Sequence, residues 1–202
     1  MTQLDPRRKP RQSRSRATVD AILQATAQVL VRDGYQKATT NRIAERAGVS
    51  VGTLYQYFPN KDALVVALCE QHSDEMMTLL SASIAELQDA TAERATRVIV
   101  RAMLQAHAVN PELHEAIISN LPKEKQFEQI LAVNAQAEAM VRVFLEHHRE
   151  RLATDNIDMA AFIVVNTVEA LTHAAVIERP DFLGTEELVD EITRLICRYL
   201  LK

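Results

Sequence analysis

Few side chains in this 202-residue chain stand at spacings that could do chemistry. Six histidines are scattered along it, and no His-x-x-x-His or His-Glu-x-x-His spacing occurs. No single helical turn therefore offers two imidazoles to one ion, and the expectation is no metal site and no cofactor. No nucleophile stands with a base and an orienting group, so the chain is not read as an enzyme. Cys69 and Cys197 make neither a disulfide framework nor a zinc-finger spacing. Both sit among apolar residues and are expected as buried thiols, in keeping with a reducing, cytoplasmic setting.

One segment does carry a pattern: TTNRIAERAGVSVGTLYQYFPNKDAL, Thr39 to Leu64. It reads as two short helices joined by a tight glycine turn. Thr39 or Thr40 caps the first. Ile43, Ala44 and Ala47 are small and apolar enough to let the helices approach. Gly48 takes the turn conformation and Val49 plugs the corner. Ser50 caps the second helix, and Leu54 and Phe58 anchor it one turn apart. This is a helix-turn-helix. Its second helix is expected to expose Val51, Gly52, Thr53, Tyr55, Gln56 and Tyr57. Small residues at the start of that helix permit close approach to a major groove, where hydroxyls and an amide can bond base edges and phosphates.

The elements that must position this segment are helical. Apolar residues make up 48% of the chain, with only 4 Gly, 6 Pro and 4% aromatics. No Val/Ile/Thr strand leads into a Gly-rich phosphate loop. The fold class is all-α, with about nine helices: a three-helix N-terminal helix-turn-helix domain and a larger C-terminal helical domain. A first helix over about 16–33 carries the stripe Val19, Ile22, Leu23, Thr26, Val29 and Leu30, and Gly34 ends it. Helices follow over about 40–47, 51–57, from Asn60 onward, 92–109, 111–119, 124–151, 157–178 and 185–201. Phe127, Ile130, Leu131, Val141, Phe144 and Leu145 mark one face of helix 124–151. The domain reading is a disordered basic arm over 1–14, a DNA-binding helix-turn-helix domain over 15–60, and a larger helical domain over 61–202.

Charge is distributed in the same sense. Residues 1–60 hold ten Lys/Arg against four Asp/Glu, a net +6, whereas the remainder is at −10. A basic end on an acidic body suits a polyanionic partner, here double-stranded DNA. No membrane association is expected. The window Met159–Ile177 has 14 apolar residues in 19, but Asn166, Glu169 and His173 interrupt it, so it reads as a helix buried in protein.

The segment resembles the DNA-binding domain of the TetR family of bacterial one-component regulators. Thr40, Ile43, Ala44, Ala47, Gly48, Val49, Ser50, Gly52, Thr53, Leu54, Tyr55, Tyr57, Phe58, Lys61 and Leu64 carry the resemblance. Ile22, Ala25, Ala27, Gly34 and Thr39 fit the helix before it. The resemblance implies a homodimer, a small-molecule effector pocket in the body, and repression of a palindromic operator relieved by that effector. It implies phosphate contacts for Thr40, Lys61 and Tyr57, groove-edge places for Asn41 and Arg42, and groove contacts for Val51, Gly52, Thr53 and Tyr55, with Ser50 and Gln56 beside them. Val51 is apolar where many relatives are polar, which suits a thymine methyl. An effector-independent, structural DNA-binding protein and an activator are the alternatives.

In the body, Asn166, Glu169 and His173 share a helix that is otherwise apolar. They are either polar anchors of a ligand pocket or hydrogen-bonding groups across a dimer. Asn134 and His107 are similar cases. With Met103, Leu104, Phe127 and Phe162 around them, an apolar or amphipathic effector is expected. The last helix carries Leu188, Val189, Ile192, Leu195, Ile196, Tyr199 and Leu200 in one stripe, and with helix 157–178 it is expected to form the dimer interface.

Overall fold

The computed structural model describes residues 13–85, 87 and 90–202, with backbone alone at 13–14, 84–85, 123–124, 126–127 and 129–130. Residues 1–12 of the expected arm lie outside the described residues, and so does the side chain of Phe127. Among the described residues there are nine α-helices and no strand: α1 (Ser13–Lys37), α2 (Thr40–Ala47), α3 (Val51–Tyr57), α4 (Lys61–Ala85), α5 (Ala92–Ala108), α6 (Pro111–Asn120), α7 (Lys123–His147), α8 (Ile157–Ile177) and α9 (Glu186–Leu200). A 3-10 turn, Arg149–Arg151, follows α7.

Local chemistry explains most of these boundaries. Gly34 breaks α1 with φ 74° and ψ 164°, a conformation that a side chain resists. Thr39, Ser50, Thr91, Asn156 and Thr185 each cap a helix, the side-chain oxygen accepting from the backbone N–H three residues on. The amide oxygen of Asn60 does the same for Ala63 at the start of α4, at 2.8 Å. Pro111 opens α6, where its missing N–H costs nothing.

The described chain divides into two compact units. The first comprises α1–α3, α4 up to Ser73, and the stretch Glu112–Glu128 that holds most of α6. Its core is Ile22, Val29, Leu30, Ile43, Ala44, Leu54, Phe58, Leu64 and Val66, all essentially without solvent contact, joined by Ile117 and Leu121 of the α6 region. Cys69 lies in the same core.

The second unit holds the end of α4, α5, most of α7, and α8 and α9. Its core gathers Val100 and Leu104 of α5, Leu145 of α7, Ala160, Ala161, Val164 and Val168 of α8, and Val189, Ile192, Ile196 and Leu200 of α9. Arg97 and Arg101 of α5 clamp α9, both reaching Glu186 (2.8 and 2.5 Å), and Arg97 also pairs with Asp190. The C-terminus is tied back by Ala153 N–H donating to Leu200 O (2.7 Å) and Lys202 N–H to Arg151 O (3.1 Å).

Three expectations change here. Ile196, read as an interface residue, is a core residue, because α9 turns the 189/192/196/200 stripe inward and leaves Leu195 and Tyr199 outside. Leu131 is exposed, whereas Val141, Phe144 and Leu145 pack on the core. Helix α8, the one described helix long and apolar enough to cross a membrane, is covered on one side. Met159, Phe162 and Ile177 lie outside, on the face opposite Ala160, Ala161, Val164 and Val168.

Burial pushes the Cys69 thiol from an ordinary 9.0 up to about 11. The thiolate is the reactive form, so at pH 8 two pKa units remove about 100-fold of it. Iodoacetamide labelling read by mass spectrometry at pH 8 is therefore expected to modify Cys69 at least about 100-fold more slowly in the native chain than in urea. Equal rates would place Cys69 outside the core.

Candidate nucleic-acid interface

The helix pair of the first unit is built around its corner. Gly48 sits in the left-handed region, φ 68° and ψ 28°, where only glycine is unstrained. The Gly48 N–H donates to Glu45 O (3.1 Å) and the Val49 N–H to Ala44 O (3.0 Å), which closes α2. Ser50 then opens α3. Its Oγ accepts from Thr53 N–H at 3.0 Å and lies 2.8 Å from the Thr53 hydroxyl.

Within α3 the positions separate by face. Leu54, Tyr57 and Phe58 point into the core, whereas Gly52, Tyr55 and Gln56 are exposed and Val51 and Thr53 are half-buried. The expectation of an exposed Tyr57 is corrected: the side chain is 9% exposed, because positions 54, 57 and 58 share one helical face. Val51 also packs partly on that core.

On α2, Asn41 and Arg42 are exposed and Thr40 is half-buried. Since Thr39 supplies the cap, the Thr40 hydroxyl is available to Tyr55, at 3.1 Å. This bond holds the Tyr55 ring beside the start of α2. Arg42 reaches Asp33 at 3.4 Å, and Arg46 donates to Gln28 at 2.6 Å. Thr40, Asn41, Arg42, Ser50, Gly52, Thr53, Tyr55 and Gln56 thus form one polar surface made of the start of α2 and the outer side of α3.

Lys61 makes contacts that its sequence position did not reveal. Its ammonium donates to Tyr35 O at 2.8 Å and stands 3.7 Å from the centre of the Tyr35 ring. The Tyr35 hydroxyl donates to Asp62, and burial together with that bond pushes the phenol up to about 12. Tyr35, Lys61 and Asp62 thereby clasp the end of α1 to the start of α4. Residues 26 apart make this contact, so no local pattern could have announced it.

The effector candidates lie in the second unit. A cavity of about 30 Å³ is lined by Thr96, Ile99 and Val100 of α5, Val141, Phe144 and Leu145 of α7, Val164 and Val168 of α8, and Ile196 and Leu200 of α9. None of the effector-contact residues named from the sequence is among the lining residues, although Val141, Phe144, Leu145, Ile196 and Leu200 of the two predicted apolar stripes are. Met103 packs at the edge of the core. Asn134 donates to Asn166 Oδ1 at 3.2 Å, and Asn166 donates to Phe162 O at 2.8 Å. Glu169 pairs with His173, and the His173 ring stands edge-on to that of His107. Phe162, expected in the pocket wall, is 52% exposed on the open face of α8.

Comparison with known proteins places these features. Residues 22–68 match bacterial regulatory proteins of the tetR family, and residues 93–200 match the tetracyclin repressor-like C-terminal domain. YvkB of Bacillus subtilis, an uncharacterized HTH-type transcriptional regulator, is 43% identical over 72 residues, 36% of this chain and 38% of its own length. The match thus spans well under two thirds of that relative. Native NalD, the secondary repressor of the MexAB-OprM multidrug efflux pump in Pseudomonas aeruginosa, superposes with a TM-score of 0.71 at 17% identity. That match covers 93% of this chain and 98% of NalD. SmeT in its complex with triclosan superposes with a TM-score of 0.69 at 20% identity, over 92% of each chain.

The Lys61 clasp has a measurable weight. Lys61→Ala removes a charged hydrogen bond and a cation–π contact, and is expected to lower stability by about 1 kcal/mol in urea unfolding. A variant as stable as the parent would mean that the clasp does not hold α1 to α4.

Proposed function

The chain belongs to the TetR family of DNA-binding transcriptional regulators, and we propose that it is a cytoplasmic repressor that reads a palindromic operator as a homodimer and is released by a small apolar or amphipathic effector. The DNA-binding role is assigned to residues 15–60 together with Lys61 at the start of α4, and the effector and dimer roles to the rest of 61–202. Gly52 carries the reading of the interface. It lies inside α3, exposed, and an added Cβ would meet only Ser50 Oγ at 3.7 Å. Glycine inside a helix costs about 0.5–1 kcal/mol relative to alanine. Nothing among the described residues uses the missing side chain, so the space it leaves serves a partner that approaches closely.

The roles then divide. Gly52, Thr53 and Tyr55 face the bases, with Val51 toward a thymine methyl and Ser50 and Gln56 at the margin. Thr40, Asn41, Arg42 and Lys61 hold phosphates, which position without specifying. Tyr57 is core and serves by fixing α3. Two copies must enter successive major-groove faces, so half-site centres stand about one helical turn, or a multiple, apart. Met159, Phe162 and Ile177 of α8 with Leu195 and Tyr199 of α9 offer the exposed apolar face for pairing of subunits.

Gly52→Gln is expected to leave thermal stability unchanged or higher and to abolish specific binding, read by fluorescence anisotropy on a selected operator against a scrambled duplex. Retained specific binding would remove α3 from the interface.

The effector reading is supported by the apolar cavity among α5, α7, α8 and α9, and by the small molecule named in the SmeT complex. At about 30 Å³ the cavity has water-sized room, so an effector must push these helices apart. That coupling of entry to movement is what release requires. Lipophilic compounds that raise the melting temperature of the parent are expected to lose their effect on Val168→Phe, with Val168→Ile as the milder variant. The cavity's small size favours one alternative, an effector-independent DNA-binding protein. That alternative gains if no compound stabilises the parent, and unchanged shifts in both variants would place the effector elsewhere.

A further inference from the structure

The end of α1 carries an acid where a surface that meets DNA should avoid one. Residues 1–60 hold only four acids. One of them, Asp33, stands among three cations: Arg32 beside it, Lys37 after the Gly34 break, and Arg42 in the first turn of α2. Arg32 approaches as a fork, Nε donating to Oδ1 and Nη2 to Oδ2, both at 2.9 Å. Arg42 Nη2 lies 3.4 Å from the same Oδ2, and its Nη1 donates to Lys37 O at 3.5 Å. The two guanidiniums share one carboxylate oxygen, which keeps their Nη2 atoms within about 6 Å of each other.

The Asp33 side chain is 14% exposed, against 58% for Arg32 and 46% for Arg42. The carboxylate is covered and the guanidiniums face water. A carboxylate takes only part of a guanidinium's set of N–H donors, so both arginines have donors left for a second anion. The Arg32 hydrogen bond, outweighing burial and helped by the charges of Arg32, Arg42 and Lys37, holds the Asp33 carboxyl below its usual range. The cluster is therefore ionised at neutral pH and net positive. Its neighbours belong to the interface. Arg42 follows Thr40 by two residues, and the Thr40 hydroxyl meets Tyr55 of α3. Tyr35, on the same end of α1, binds Lys61.

We propose that Asp33 is a positioning residue for DNA binding, gathering Arg32 and Arg42 into a paired guanidinium clamp that takes one backbone phosphate of the duplex. The inference rests on the DNA-binding reading and adds Arg32 to its contacts. Without the carboxylate, two cations this close repel each other and their long side chains disperse. With it, a phosphate accepts from both guanidiniums at once, each bond about 2.8 Å long. Such a contact places the chain on the backbone and does not read sequence.

The test is fluorescence anisotropy of the full chain on the selected operator and on a random-sequence duplex, at several salt concentrations. An acid that only repelled the backbone would, once removed, leave binding tighter. The clamp requires the opposite sign. Asp33→Ala is expected to weaken both duplexes by a similar factor, at least about threefold. Arg32→Ala/Arg42→Ala is expected to weaken both and to make the salt slope shallower by about one unit, the value for one phosphate. In that double background Asp33→Ala is expected to cause no further loss, because only repulsion is left to remove. Exposed ion pairs add little to stability, so each variant is expected to melt as the parent does. Asp33→Ala binding as tightly as the parent or more tightly overturns the clamp and leaves the DNA-binding reading standing. So does an equal loss with and without the arginines, which would mark Asp33 as merely structural. Arg32→Ala, at an exposed side chain, is the second variant, and parental affinity there has the same consequence. A parent that binds neither duplex overturns both.

Discussion

Helices α2 and α3 have eight and seven residues, too short to persist alone in water. Their existence depends on one corner and one core. At the corner, Gly48 in the left-handed region lets the chain close α2 with two backbone hydrogen bonds and start α3 three residues later. Below it, Ile43, Ala44, Leu54 and Phe58 lose all contact with water. Burying a side chain of this size contributes about 1.5–3 kcal/mol, so these anchors, rather than helix propensity, hold the pair. A side chain at Gly48 would strain the corner, and the polar outer surface of α3 would lose its fixed placement relative to α2.

That anchoring also sorts the residues of α3 into those that fix it and those left for a partner. A seven-residue helix has less than two full turns, so one inward stripe claims Leu54, Tyr57 and Phe58 together. The remaining positions are polar or small, and two of them are tied back. Thr53 is held by Ser50, and Tyr55 by Thr40. Such bonds reduce the rotamer freedom that binding would otherwise have to freeze. An interface prepared in this way suits a rigid polyanion better than an adaptable surface would.

In the second unit the governing problem is α8, whose composition is apolar on more than one side. Helices α5 and α9 bury one face, and the α5–α9 contact is reinforced by Arg97 and Arg101 on Glu186. Exposed ion pairs of this kind contribute little each, so the apolar contact carries the packing. The polar side chains in the middle of α8 are partnered within the protein. Asn166 takes a hydrogen bond from α7, and Glu169 and His173 pair along their own helix. The helix thus has a packed face, a polar margin and an open apolar strip.

What could be read from the sequence was what lies within about four residues along the chain. Helical stripes, the Thr and Asn caps, the breaks at Gly34 and Gly48, and the nine-helix order all follow from bonds and faces at that range. The family likeness had the same source, since its motif is one continuous stretch. The tertiary structure decided whatever depends on residues far apart. It turned Tyr57 and Ile196 inward, drew α6 into the first unit's core, bound Lys61 to Tyr35, and set His107 against His173 across 66 positions. Periodicity shows that a helix has an apolar face but not which neighbour covers it, because that choice belongs to the packing of all the helices at once.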